Sequence, residues 1–211
     1  MITLVHRAHT IEEELDHDFG VEIDVRDAQG TPCLSHDPII SKDSVIGLLD
    51  WIMKYPNYSM YALNIKSDGN ERVITNIMNT IVGKDRWFVF DMSFPCRTNY
   101  DAWKGNIVDR CSDLGEDINP YLTNCGMWSD RWLWNKREKN DLIISKMLST
   151  DTKEKLSHYY VSPELHCGAD VKKWKIGNES YLEAHWASVK QNENFVGICT
   201  DFYYEAKEFF K

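Results

Sequence analysis

Short apolar runs rich in Val, Ile, Phe and Tyr alternate along this chain with stretches whose apolar positions recur at helical spacing. The runs predict strands at Ile2–His6, Val21–Arg26, Met60–Lys66, Trp87–Asp91, Asn106–Arg110, Cys125–Ser129, Tyr159–Ser162 and Phe195–Thr200. The helical spacing predicts helices near Thr10–His17, Ser44–Lys54, Glu71–Val82, Asn140–His158 and Ser180–Gln191; Val73, Ile74, Ile77 and Ile81 draw the clearest stripe. Strands alternating with helices signal a parallel α/β protein. Eight strands in 211 residues predict a compact (β/α)8 TIM barrel with some helices short or missing, because such barrels begin at ~200 residues. An open α/β sheet is the alternative, since residues 113–121, between the fifth and sixth strands, are polar and turn-rich.

Residues 1–211 read as a single domain, with no repeat, low-complexity tract or Pro/Gly-rich linker. The 43% hydrophobic and 27% charged content is that of an ordinary globular protein. A formal net charge of -9 argues against a nucleic-acid backbone or an anionic membrane surface as partner. It leaves room for a small anionic ligand, because local cations such as Arg7, Lys66 and Arg110 can dominate a cleft. The six cysteines include no C-x-x-C pair and read as reduced thiols. No apolar run reaches membrane-spanning length, and Met1–Leu4 passes into His6-Arg7 without space for a secretory apolar region, so the expected location is cytoplasmic. The sequence is silent on oligomeric state.

The chemistry concentrates at the C-terminal ends of the predicted strands: His6 and Arg7, Glu22 and Asp24, Lys66, Asp91, Arg110, Asp130, Glu164 and His166, and Asp201. In a barrel these ends meet at one mouth, where such enzymes keep their active sites. Glu22 and Asp24 lie two apart, so the strand period places both carboxylates on one face while Val21, Ile23 and Val25 turn to the other. Paired anionic oxygens on a stiff strand suit a hard divalent cation such as Mg²⁺ or Ca²⁺. Histidines nearby add groups that transfer protons near neutral pH.

His6-Arg7, Glu22-Ile23-Asp24-Val25-Arg26-Asp27, the run from Gly30 to His36-Asp37, Asn64-Ile65-Lys66 and Cys199-Thr200-Asp201 occur in the order found in glycerophosphodiester phosphodiesterases. The chain resembles that family, within the phosphatidylinositol-specific phospholipase C-like superfamily, from His6 to Asp201. Ala62 to Lys66, Phe88 to Ser93 and Val161 to His166 resemble a compact bacterial subgroup. The resemblance implies a metal-dependent phosphodiesterase of lipid metabolism acting on a small glycerophosphodiester-like or sugar-phosphate diester. It implies His6 and His36 as the acid/base pair and Glu22 and Asp24 as metal ligands, with Asn64 completing the set. Arg7 and Lys66 would hold the phosphoryl oxygens. Asp91, Arg110, Trp128, Asp130, Glu164 and His166 are possible substrate contacts.

The chain departs from the family pattern at two places. Asn64 stands where a glutamate usually supplies the third ligand, so either a less anionic site is retained, with help from Asp91, or the barrel only binds a phosphorylated sugar or lipid headgroup. Ala8-His9-Thr10 follows His6-Arg7 where the family has an asparagine. A barrel hydrolase of amides or lactones is disfavoured by the lack of His-x-His spacing.

Each motif also has an ordinary structural reading. His36-Asp37 before Pro38 is by itself a turn, and Lys66 before Ser67-Asp68-Gly69 a loop lysine. Glu164 and His166 could be a bonded pair beyond Pro163, and Trp128 a core residue. For Glu22 and Asp24 the ordinary reading is weak, because strands in a parallel barrel are covered and unpaired carboxylates there are costly.

Overall fold

The computed structural model describes residues 1–103, 105–114, 126–130, 132, 157–167 and 170–211, side chains 43 and 100 aside. All eight expected strands are present, within a few residues of their expected bounds: β1 (Ile2–Val5), β2 (Gly20–Asp27), β5 (Tyr61–Ile65), β6 (Trp87–Phe90), β7 (Val108–Ser112), β8 (Gly126–Asp130), β9 (Ser157–Val161) and β10 (Phe195–Thr200). Two short strands, β3 (Pro32–Leu34) and β4 (Ile46–Gly47), join them in one ten-stranded mixed sheet. The parallel pairs run β6–β5–β2–β1–β10–β9–β8–β7, while β3 adds antiparallel to the end of β2 and β4 antiparallel to β3. Between β6 and β7 there is no ladder, only a single parallel bridge, Val89 to Ile107.

Alternation along the strands sorts the core. Val5, Val21, Ile23, Val25, Leu63 and Val89 pack on one sheet face against Leu48, Trp51, Ile52, Ile74 and Met78, which belong to α1 (Leu48–Lys54) and α2 (Glu71–Ile81). Tyr160 and Ile198 meet α6 (Glu179–Lys190) and α7 (Tyr203–Phe209) through Leu182, Trp186, Val189 and Ala206. The other face packs on itself, as Leu4, Ala62, Phe88, Phe90, Val108, Trp128, Tyr159, Val161 and Cys199 form one cluster. Phe88 reaches Tyr159, on a non-neighbouring strand, with ring centroids 4.5 Å apart, so the sheet is strongly curled. Close packing is made possible by Gly20, where a Cβ would come within 2.6 Å of the Leu4 side chain, and by Gly126, where it would come within 2.5 Å of the Ser157 carbonyl oxygen.

The helices depart more from expectation. Thr10–His17 is not helical: a 3-10 turn at Ala8–Thr10 leads into irregular chain. Ile11 and Leu15 make too narrow an apolar stripe, and the acidic segment is held instead by Lys207, which reaches Asp16 and Asp18. In Ser44–Lys54 the helix begins only at Leu48, because Ile46 and Gly47 are taken by β4. The helix expected over Asn140–His158 falls mostly outside the described residues, and its last two positions, Ser157 and His158, lie in β9. Short helices α3 (Phe94–Arg97), α4 (Tyr100–Trp103) and α5 (Val171–Lys175), and the longer α7, add to those expected. Among the described residues no helix is long and apolar enough to cross a membrane. Cys33, Cys96 and Cys199 are free thiols.

The antiparallel hairpin is what delivers His36. Gln29 (φ 56) and Gly30 (φ 81) form a two-residue turn with both φ values positive, the turn whose twist matches a hairpin. It returns the chain beside Val25 and Arg26, and the Ser35 amide then donates to the Asp24 carbonyl at 3.1 Å. His36 is thereby set beside the end of β2.

Candidate active site

A cleft of about 370 Å³ opens at the C-terminal ends of the parallel strands. Its wall includes His6, Arg7, Glu22, Asp24, His36, Asn64, Lys66, Asp91, Arg110, Trp128, Asp130 and His166. Of the strand-end candidates from the sequence, Asp201 and Glu164 are not part of the lining, and Glu164 is 1% exposed. Glu164 accepts hydrogen bonds from the Thr200 hydroxyl and the Asp201 amide, tying the end of β9 to the end of β10.

Glu22 and Asp24 are 2% and 1% exposed, among the deepest charges in the protein. Arg7 arranges both. Its backbone is left-handed (φ 48), turning the chain sharply after β1, a conformation that L-residues adopt at a cost. The turn lets the Arg7 amide donate to Glu22 Oε2 at 2.9 Å and brings Nε within 3.6 Å of Asp24 Oδ2. Lys66 Nζ approaches Asp24 Oδ1 at 3.6 Å and Asp91 Oδ2 at 3.1 Å. Asp91, also left-handed at φ 66, accepts from Arg110 through its other oxygen. Burial pushes the Glu22 carboxyl above its ordinary pKa, the His6 charge pulls it down and Asp24 pushes it up, and the net shift is upward.

Asn64 lies directly across from Asp24 in the β2–β5 register. The Oδ1 of Asn64 and the Oδ2 of Asp24 are both buried without a hydrogen-bond partner. Two orphaned acceptors beside a buried carboxylate form a donor set that fits a hard cation. Among the described residues no group of three or more His, Cys, Asp or Glu side chains is disposed to hold a metal. The candidate set is two carboxylates and one amide, with Arg7 and Lys66 already supplying part of the positive charge.

His6 continues β1 and places Nδ1 2.9 Å from Asp201 Oδ1. Burial draws its pKa down, but the Asp201 hydrogen bond and the Glu22 and Asp201 charges outweigh this and raise it. His36 is more exposed, with Nδ1 2.9 Å from the neighbouring Asp37. On the far wall His166 Nε2 meets Asp130 at 2.9 Å and its ring stacks on Trp132, centroids 3.9 Å apart. Trp128 stacks on Phe90 and is 3% exposed, so most of it is core. His9 is outside the lining; its Nδ1 is buried without a partner and burial lowers its pKa.

The sequence groups Asp201 with the polar strand-end residues without giving it a partner, and it gives Arg26 no role of its own. Asp201 could have been reached from β10, which pairs with β1 and ends beside His6; Arg26 continues the same-face series of Glu22 and Asp24.

A cleft lined by acid, base and cationic groups at the carboxyl ends of parallel strands lies where α/β proteins keep their binding sites. Among solved structures, the chain aligns over its full length with 98% of a protein from Galdieria sulphuraria assigned as a glycerophosphodiester phosphodiesterase, at a TM-score of 0.63 and 12% identity. At that identity the likeness establishes the fold. No protein-family model matches the chain, and no curated protein matches its sequence.

Proposed function

We propose that the chain is a phosphodiesterase of small glycerophosphodiester-like or sugar-phosphate diesters. The fold would be one compact (β/α)8 barrel domain, with its loosest seam between β6 and β7. The observation that carries the reading is the convergence in one cleft of the His6 and His36 imidazoles, the buried Glu22 and Asp24 carboxylates and the cations Arg7 and Lys66. Hydrolysis of a phosphodiester needs those functions: charge neutralisation, a proton acceptor for the nucleophile and a proton donor for the leaving oxygen.

Arg7 and Lys66 would hold the nonbridging oxygens, the first through a planar fork and the second as a point charge. His6, whose hold on a proton Asp201 strengthens, is the better placed proton donor, and His36, more open to solvent, the better acceptor. Glu22, Asp24 and Asn64 would hold Mg²⁺ or Ca²⁺, which when bound neutralises charge on the phosphoryl group. The likeness to the Galdieria protein supports the same class of activity.

The experiment is a screen of glycerophosphodiesters and sugar-phosphate diesters with and without Mg²⁺ and Ca²⁺, run alongside His6→Ala and His36→Ala. Turnover lost in both variants with the fold retained is the expected result. Undiminished turnover in both removes the assignment. A second reading, a barrel that binds a phosphorylated sugar or headgroup without cleaving it, is favoured by the amide at Asn64 and the ion pairs already made to Asp24. It gains if no diester is turned over until Asn64→Glu is introduced.

A further inference from the structure

We propose that Arg26 is a positioning residue that fixes His36 over the cleft, an inference that rests on the phosphodiesterase reading of His36. Arg26 sits two residues beyond Asp24 and shares its strand face. Its guanidinium donates through Nε (3.0 Å) and Nη2 (2.9 Å) to the backbone carbonyl of His36, and through Nη1 (3.3 Å) to the carbonyl of Lys66. One planar group therefore staples together the chain after β3 and the chain after β5. These two segments carry the candidate base and a candidate phosphate ligand.

The two segments depend on that staple unequally. Lys66 is held independently, since its amide donates to the Val25 carbonyl at 2.9 Å and its ammonium reaches Asp24 and Asp91. The His36 segment has less. Its last backbone bond to the sheet is at Ser35, and the remaining contacts are local: Ser35 Oγ to the Asp37 carbonyl, and the His36 ring to Asp37. Among the described residues the Arg26 fork is the contact from outside this loop that reaches His36 itself. Two donors in a fixed plane on one carbonyl restrain its direction as well as its distance, which a lysine cannot do. A proton acceptor must be held within a fraction of an ångström of its working place, and a misplacement of about 1 Å costs up to roughly a hundredfold in rate.

The test compares Arg26→Ala and Arg26→Lys with the unaltered full chain in two measurements, one of which does not require turnover. In the first, the His36 and His6 ring resonances are assigned by NMR with His36→Gln and His6→Gln as references. Arg26→Ala is expected to shift and broaden the His36 resonance while leaving that of His6 in place. In the second, kcat for whichever diester is turned over should fall at least about tenfold in Arg26→Ala, with KM within about threefold because Lys66 keeps its other partners. Arg26→Lys should recover only part of the loss. A His36 resonance unmoved in Arg26→Ala overturns the proposal, as does an unchanged kcat. If the unaltered protein turns over no diester, the phosphodiesterase reading falls, and the NMR comparison still decides whether Arg26 holds His36.

Discussion

His6 Nδ1 and Asp201 Oδ1 lie 2.9 Å apart, joining the first strand's end to the residue that follows the last strand. Burial pulls the imidazole pKa down, but the Asp201 hydrogen bond and the charges of Glu22 and Asp201 outweigh it and raise the pKa. The folded protein then binds the imidazole proton more tightly than the unfolded chain. The resulting stability is complete below the ordinary value of 6.5 and is lost as pH rises through the raised value. Asp201→Asn should lower the His6 pKa in an NMR titration and flatten this pH dependence. A midpoint that does not move would show that Asp201 leaves the proton where it was.

The cation site makes its own prediction. Glu22→Gln removes an anionic donor, and affinity for Mg²⁺ or Ca²⁺ in calorimetry should drop by about tenfold or more. Asn64→Glu should move it the other way, because affinity for hard cations rises with the charge of the donors. Equal affinities in all three proteins would take these residues out of the metal site.

Glu164 offers a separate test of burial. Desolvation pushes its pKa up, and hydrogen bonds from Ser162, Thr200 and Asp201 pull it back only in part. A raised carboxyl binds its proton more tightly when folded, so stability falls as pH climbs from the ordinary carboxylate value through the raised one. Glu164→Gln keeps an acceptor oxygen and never ionises. Urea midpoints measured at pH 5 and 8 should therefore differ less in the variant than in the unaltered protein, and parallel behaviour would refute the assignment.

At Gly126 the consequence is purely structural. A methyl group there would sit 2.5 Å from the Ser157 carbonyl oxygen, which is backbone and cannot swing aside. Gly126→Ala should destabilise the protein by about 1–3 kcal/mol, read as a lowered urea midpoint with the β8–β9 pairing as the point of damage.

The parallel strands were legible because their alternation is strong: Val21, Ile23 and Val25 against Glu22 and Asp24 could hardly be read otherwise. The short hairpin strands were not, since Pro32–Leu34 and Ile46–Gly47 are too brief to show a period. Their cost to the reading was the mechanism by which His36 arrives. The segment after Arg7 misled because spacing alone suggested a helix, whereas the left-handed turn at Arg7 and the contacts from Lys207 lie far apart in sequence. Within the site, residue types and strand ends pointed to the cleft wall, but partnerships could not be read. The pairing of Asp91 with both Lys66 and Arg110, the pairing of Asp130 with His166, and the burial of Glu164 depend on the curl of the sheet. Glu164 and His166 are not the bonded pair that the sequence allowed beyond Pro163; the 3-10 turn at Pro163–His166 sends one inward and the other to the cleft.

Strand β1 takes its neighbours from opposite ends of the chain, β2 soon after it and β10 nearly two hundred residues later. During synthesis the ribosome would deliver His6, Arg7, Glu22, Asp24 and His36 early, and the nascent chain would carry these charged groups long before Asp201 and the last strand emerge. Until then one edge of β1 stays open and His6 lacks its carboxylate. The β1–β10 ladder and the His6–Asp201 contact therefore close only once Phe195–Asp201 has been made, whatever part of the sheet has already formed.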